Sequence, residues 1–201
     1  MLNIPKIETH TNFIKIKPRQ ETNHIVIHCS ATRCLDKYDW KTIDQMHRQK
    51  GWLMIGYHYV IKKDGTIQQG RDEETIGAHV EGHNEDTIGI CLIGGINSKG
   101  ESTNNFTKEQ FKSLRLLVDY LLVKYKGADV LGHRDFPNVK KDCPCFDVKK
   151  WYTDGVKLIK INDPKDILNL LNTWKISKGV FEELNGLSIS DIKEGDLVRV
   201  R

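Results

Sequence analysis

The sequence predicts an α/β (α+β) fold, in which helices flank a mixed central β-sheet and a small β-α-α-β domain follows. Three features lead there. Short β-branched runs, NHIVIHCS and DTIGICLIGG, are interspersed with long amphipathic stretches, but not as a strict βαβ repeat. A hairpin signal at Asp64-Gly65 brings antiparallel pairing into that sheet. The pattern then lapses near Tyr152, and a second one starts after Thr153-Asp154-Gly155. A chain of 201 residues, 38% hydrophobic and 29% charged, has room for one globular domain and an appendage.

In chain order, residues Asn23 to Ser30 alternate β-branched residues and read as a strand with His28 near its end. DWKTIDQMHRQKGW reads as a helix, with Asp39 as N-cap, Ile43, Met46 and His47 on one face, and Gly51 as terminator. GYHYVIKKDGTIQQG is a hairpin whose first arm is YHYVIK and whose return is TIQQ. The Ile/Cys/Leu/Ile run of DTIGICLIGG suits a strand buried on both faces, hence a central one. Thr107 and Gln110 form a capping box for a long helix with Phe111, Leu114, Leu117, Val118 and Leu121 as its stripe. ADVLG is a short strand and FDVKKWY a short helix. Beyond the break, VKLIKI is strand-like, DPKDILNLLNTWK and GVFEELNG are helical, and GDLVRVR is a final strand.

The net charge of +4 is mild, and no basic stripe with interleaved aromatics occurs, so a DNA-binding module is not expected. No apolar run is long enough to insert into a membrane, and the first residues lack the apolar core of a signal peptide. A cytoplasmic, monomeric protein is the expectation. Five cysteines, an odd count in such a chain, argue against a disulfide framework and leave room for a metal.

The stretch LGHRDFPNVKKDCPCF concentrates a histidine, two cysteines and five charged residues, and two prolines break it up. His133 stands where a strand leaves the sheet, Cys143 follows before a proline, and His28 ends another strand. Two imidazoles and a thiolate would make a three-ligand zinc site with a position open for water, the arrangement a hydrolase needs. Spacing alone does not choose the sulfur. Cys145 and Asp142 remain rivals, since residues two apart in an extended chain face the same way.

Taken together, NHIVIHCSAT, GWLMIGYHYVIKKDGTIQQGRDEETIGAH, NEDTIGICLIGG, LGHRD and KDCPCFD resemble the zinc-dependent N-acetylmuramoyl-L-alanine amidases of the amidase-2 class. That class shares its fold with peptidoglycan recognition proteins, and the likeness is strongest to the small bacteriophage endolysins. It covers roughly Asn23 to Trp151. The resemblance implies one zinc ion on His28, His133 and Cys143, with Tyr57 and Lys141 catalytic without binding metal. It matches His79 to the histidine of the GAH motif, a substrate-binding or supporting residue. The implied reaction is metal-assisted hydrolysis of the amide between N-acetylmuramic acid and L-alanine, leading to lysis of the host cell from its cytoplasm outward.

The tail, through GVFEELNGLS and GDLVRV, resembles a LysM module that binds wall glycans, although NDPKD replaces the usual early Gly-Asp-Thr. The expected organisation is an extension over 1–22, the zinc amidase domain over 23–153 and the LysM-like module over 154–201. The expected partner is the peptidoglycan of the bacterial wall. Two alternatives are a non-catalytic peptidoglycan-binding protein and a dual-role endolysin that also inhibits a phage RNA polymerase, as some relatives of that class do.

Overall fold

In the computed structural model, which describes residues 6–9, 14–154, 158–185 and 187–200, the two longest strands lie side by side in one sheet. They are β2 (His24–Cys29) and β5 (Thr87–Leu92), parallel, with His28 opposite Cys91. All of β5 and nearly all of β2 are buried, as expected for apolar runs with both sheet faces covered. β3 (Tyr59–Ile61) and β4 (Ile67–Gln69) form the antiparallel hairpin, and Gly65 takes a φ of +86° in its turn. β6 (Asp129–Gly132) runs parallel to β2 on its outer side. The N-terminal segment supplies β1 (Ile7–Glu8), which pairs in parallel with β4. The order is β1-β4-β3-β5-β2-β6, a mixed sheet as predicted.

The hairpin arm is shorter than its sequence suggests. Tyr57 and His58 precede β3 because the backbone there is shared among three partners. Ala78 donates to Gly56, Arg71 to Tyr57 and His58 to Gly89. Gly70 is needed at this crossing, since a Cβ would come 2.2 Å from the Tyr57 carbonyl oxygen. The N-terminal segment is also tied down by buried Arg19, which donates to the carbonyls of Glu73 (2.7 Å) and Thr75 (3.0 Å).

Helix α1 (Trp40–Gln49) starts at Asp39, whose carboxylate accepts from Thr42 N–H at 3.0 Å, and it buries Ile43 and His47. Helix α2 (Lys108–Lys124) carries the Thr107/Gln110 capping box and buries Leu114, Leu117, Val118 and Leu121. Phe111 leaves that stripe and meets Phe106 and Phe146 edge-on instead. Gln110 also donates to the carbonyls of Ile61 (3.1 Å) and Ile93 (2.9 Å), anchoring the helix start on the exits of β3 and β5. Helix α3 covers Val148–Asp154. No helix among the described residues is long and apolar enough to cross a membrane.

The chain divides into two compact units, one over Pro5–Lys149 and the other including Lys150–Arg201. The second holds β7 (Leu158–Lys160) antiparallel to β8 (Leu197–Arg199), with α4 (Ile167–Trp174) and α5 (Lys178–Asn185) between them in sequence. Its core gathers Ile161, Ile167, Leu171, Phe181, Ile192 and Val198. The predicted helix over DPKDILNLLNTWK is split, because Asp163 caps a separate turn at Pro164–Asp166 before α4. Val156 and Lys157 of the predicted VKLIKI strand lie outside the described residues.

Candidate active site

His28 and His133 meet because of sheet register. Ile27 of β2 pairs with Gly132 of β6 in parallel, so both chains leave the sheet at the same edge. His28 is the next residue on one strand, and His133 opens a turn on the other, where Asp135 accepts from Gly132 N–H at 2.8 Å. The two ring centroids are 4.6 Å apart. Gly132 lets the returning loop lie against the strand end, since a Cβ there would come 3.0 Å from Pro144 and 3.1 Å from Val148. Arg134 N–H then donates to the Cys143 carbonyl at 2.9 Å. Cys29 N–H donates to the Cys143 sulfur at 3.3 Å, and that sulfur sits 3.8 Å from His28 Nδ1. One donor atom each from His28, His133 and Cys143 all fall within 4.8 Å of one another.

The two rivals for the sulfur position point elsewhere. Cys145 adopts a φ of +73°, which turns its side chain out of the alternation of an extended chain. Its thiol donates to the Gly95 carbonyl at 3.3 Å and lies 3.8 Å from the Cys29 sulfur. Asp142 is exposed and contributes no oxygen to the cluster.

A cleft of about 410 Å³ opens over these residues and is lined by Tyr57, His133, Lys141 and Cys143, with Lys50 and Lys140 adding positive charge. Nothing in the sequence marks Lys50 or Lys140 as cleft residues, because both read as ordinary solvent-exposed lysines in polar stretches. Tyr57 is half-buried with its ring 5.0 Å from that of His28, and burial, with the Cys91, Cys143 and Cys29 thiols nearby, pushes its phenol well above the usual range. Lys141 is exposed at the rim. Burial and the neighbouring His133 hold His28 well below the ordinary imidazole value, and burial and Lys141 lower His133 as well. Both rings are therefore neutral near pH 7, with lone pairs available. His79, by contrast, is buried behind His28, its Nδ1 3.1 Å from His28 Nε2.

Two neutral imidazoles and a thiol around one point form a nitrogen-rich, sulfur-containing donor set suited to a tetrahedral divalent ion. With three protein donors and an open cleft beside them, the set has the form of a catalytic site rather than a closed structural one.

The chain is similar to known proteins over most of its first unit. Residues 18–146 match the family described as N-acetylmuramoyl-L-alanine amidase. The endolysin of Enterobacteria phage T3 is 45% identical over 139 residues, covering 69% of this chain and 91% of that protein. The endolysin of Escherichia phage T7 is also 45% identical, with the same coverage. Among solved structures, the endolysin N-acetylmuramoyl-L-alanine amidase LysCS from Clostridium intestinale superposes with a TM-score of 0.61 at 33% identity, covering 72% of this chain and 90% of that one. Drosophila peptidoglycan recognition protein SD, at 22% identity and a TM-score of 0.58, shares the fold over 70% of this chain and 88% of its own.

Proposed function

The chain belongs to the N-acetylmuramoyl-L-alanine amidase family, and from that premise we propose a hydrolase working on one zinc ion held by His28, His133 and Cys143. It is a peptidoglycan amidase of the endolysin type, cutting the amide between N-acetylmuramic acid and L-alanine. The observation that carries the zinc reading is the meeting of two neutral imidazoles and one thiol within 4.8 Å beside an open cleft.

Bound there, zinc supplies a Lewis acid that polarises the scissile carbonyl and acidifies a water. The chain's own residues do the rest. Lys141, at the cleft rim, presents an ammonium to the oxygen that gains charge in the transition state. Tyr57, kept protonated by burial, offers a phenol that orients the attacking water or passes a proton. No pair of carboxylates is required, which separates this chemistry from glycoside hydrolysis. We further assign wall-glycan binding to the Lys150–Arg201 unit, on the strength of its β-α-α-β order and the GDLVRV ending. Such a tether would raise the local concentration of substrate. The biological outcome of the reading is lysis of the host once the enzyme reaches the wall.

The test is purified protein on peptidoglycan with and without chelator, scoring released L-alanine amino groups against new reducing ends. Chelator-sensitive amino groups without reducing ends are expected, and new reducing ends would mean that a different bond is cut. Cys143→Ala should lose both zinc and activity. Full zinc retention by that variant would move the ligand role to Cys145 or Asp142.

A further inference from the structure

His79 is a buried imidazole that lines no part of the cleft, and its contacts run inward from the proposed ligand His28. His28 Nδ1 faces the Cys143 sulfur at 3.8 Å, whereas its Nε2 lies 3.1 Å from His79 Nδ1. On the far side, His79 Nε2 is 3.5 Å from the Thr87 hydroxyl oxygen. That hydroxyl donates its proton to the His83 carbonyl at 2.6 Å.

The direction of every proton in this chain follows from its outer end. Thr87 has one hydroxyl proton, and it is spent on His83, so towards His79 the oxygen can only accept. His79 therefore carries its proton on Nε2 and offers a lone pair at Nδ1. His28 must then carry its proton on Nε2 and leave Nδ1 bare, facing Cys143 and the metal cluster.

We propose that His79 is a positioning residue, whose hydrogen bond fixes the tautomer and ring plane of His28 so that His28 Nδ1 presents its lone pair to the metal. The inference rests on the zinc reading above. The fold is shaped to hold this ring. A Cβ at Gly77 would come 2.4 Å from it, and one at Gly89 2.6 Å, so both neighbouring positions need glycine. The backbone N–H groups of His79 and Val80 are both held by the Asn84 side-chain oxygen, at 2.7 and 3.0 Å. Ligating histidines ordinarily need such a partner on their second nitrogen. Of the two roles open to His79 from its motif, the buried contact favours support of the ligand over contact with substrate.

Two measurements test this. In zinc-free native protein, nitrogen-15 NMR correlation of the histidine rings should show His28 and His79 both protonated at Nε2. A His28 ring protonated at Nδ1 would overturn the proposal. Zinc affinity, read by competition with a chromophoric chelator, should weaken about 10- to 100-fold in His79→Leu. His79→Asn, which keeps an acceptor near the Nδ1 position, should recover most of that affinity. Unchanged affinity in His79→Leu, or equal loss in both variants, would overturn the proposal while leaving the zinc reading intact. If the parent protein holds no zinc, or holds it without Cys143, both readings fail together.

Discussion

Acid should destabilise this protein well before its carboxylates titrate, through two buried imidazoles outside the proposed ligand set. His47 accepts Gly56 N–H at Nδ1 (3.0 Å), and His58 accepts Gly89 N–H at Nδ1 (2.9 Å). A proton on either Nδ1 would set donor against donor in the core. Burial pushes His58 down to about 3, with the Arg19 and Arg71 charges acting in the same direction, and it pushes His47 down to about 4. In the unfolded chain both rings return to about 6.5 and take up protons as pH falls. Their stabilising effect is therefore complete above about pH 6.5 and is lost as pH falls from there towards the folded values. At pH 5 the unfolded state gains about 2 kcal/mol per ring, against about 0.2 kcal/mol at pH 7. Because pH 5 lies above both folded values, the amount is set by the unfolded side alone. The two rings together remove about 4 kcal/mol, a large share of the roughly 5–15 kcal/mol that holds a typical domain. His28, His79 and His133 are lowered too, so their contributions have the same sign. Urea unfolding of chelator-treated protein at pH 7 and pH 5, followed through the methyl NMR signals of Ile25 and Ile90, reads the loss in the sheet itself. Unfolding free energies that agree within about 1 kcal/mol at the two pH values would refute the reasoning.

Lys141→Ala should keep stoichiometric zinc and lose about 10²- to 10³-fold in kcat, the usual cost of one donor to a developing oxyanion. Metal analysis with initial rates on peptidoglycan checks it, and loss of zinc would show that Lys141 has a structural part. Gly89→Ala forces a methyl to 2.6 Å from the His79 ring, and overpacking of this kind costs about 1–3 kcal/mol, visible as a lower urea midpoint. Gln110→Leu takes the side-chain donor from the Ile93 carbonyl in the core, leaves the Ile61 carbonyl with only its bond from Ile93 N–H (3.0 Å), and removes half of the α2 capping box. A loss of about 2 kcal/mol or more is expected by the same assay, and a neutral result would mean that water replaces the amide.

What the sequence shows of this fold is what local chemistry dictates. The capping box at Thr107 and the 3.6-residue period behind it are readable because one helix satisfies them alone. The long apolar runs of β2 and β5 are readable because a central strand tolerates no polar face. The features that escape depend on partners far along the chain. β1 is two residues long and exists only because β4 offers it an edge. The hairpin arm stops short because Gly56, Tyr57 and His58 are bonded to three different segments, which no local alternation records.

The site divides in the same way. Strand ends and breakers point to His28, His133 and the Cys-Pro-Cys stretch as chemistry-bearing, but only the family motifs single out Tyr57 and Lys141. The choice between two sulfurs depends on the backbone. At Cys145 the φ of +73° turns one thiol towards Gly95, while Cys143 stays within 3.8 Å of an imidazole 115 residues away. The contact between His28 and His79 spans 51 residues, and its meaning lies in proton directions set by a threonine hydroxyl. Composition cannot carry such information, because it belongs to the order in which donors and acceptors are consumed. Parallel pairing of β2 with β5 and β6 brings these groups to one sheet edge, so the topology of the sheet, more than any single motif, assembles the cluster beside the cleft.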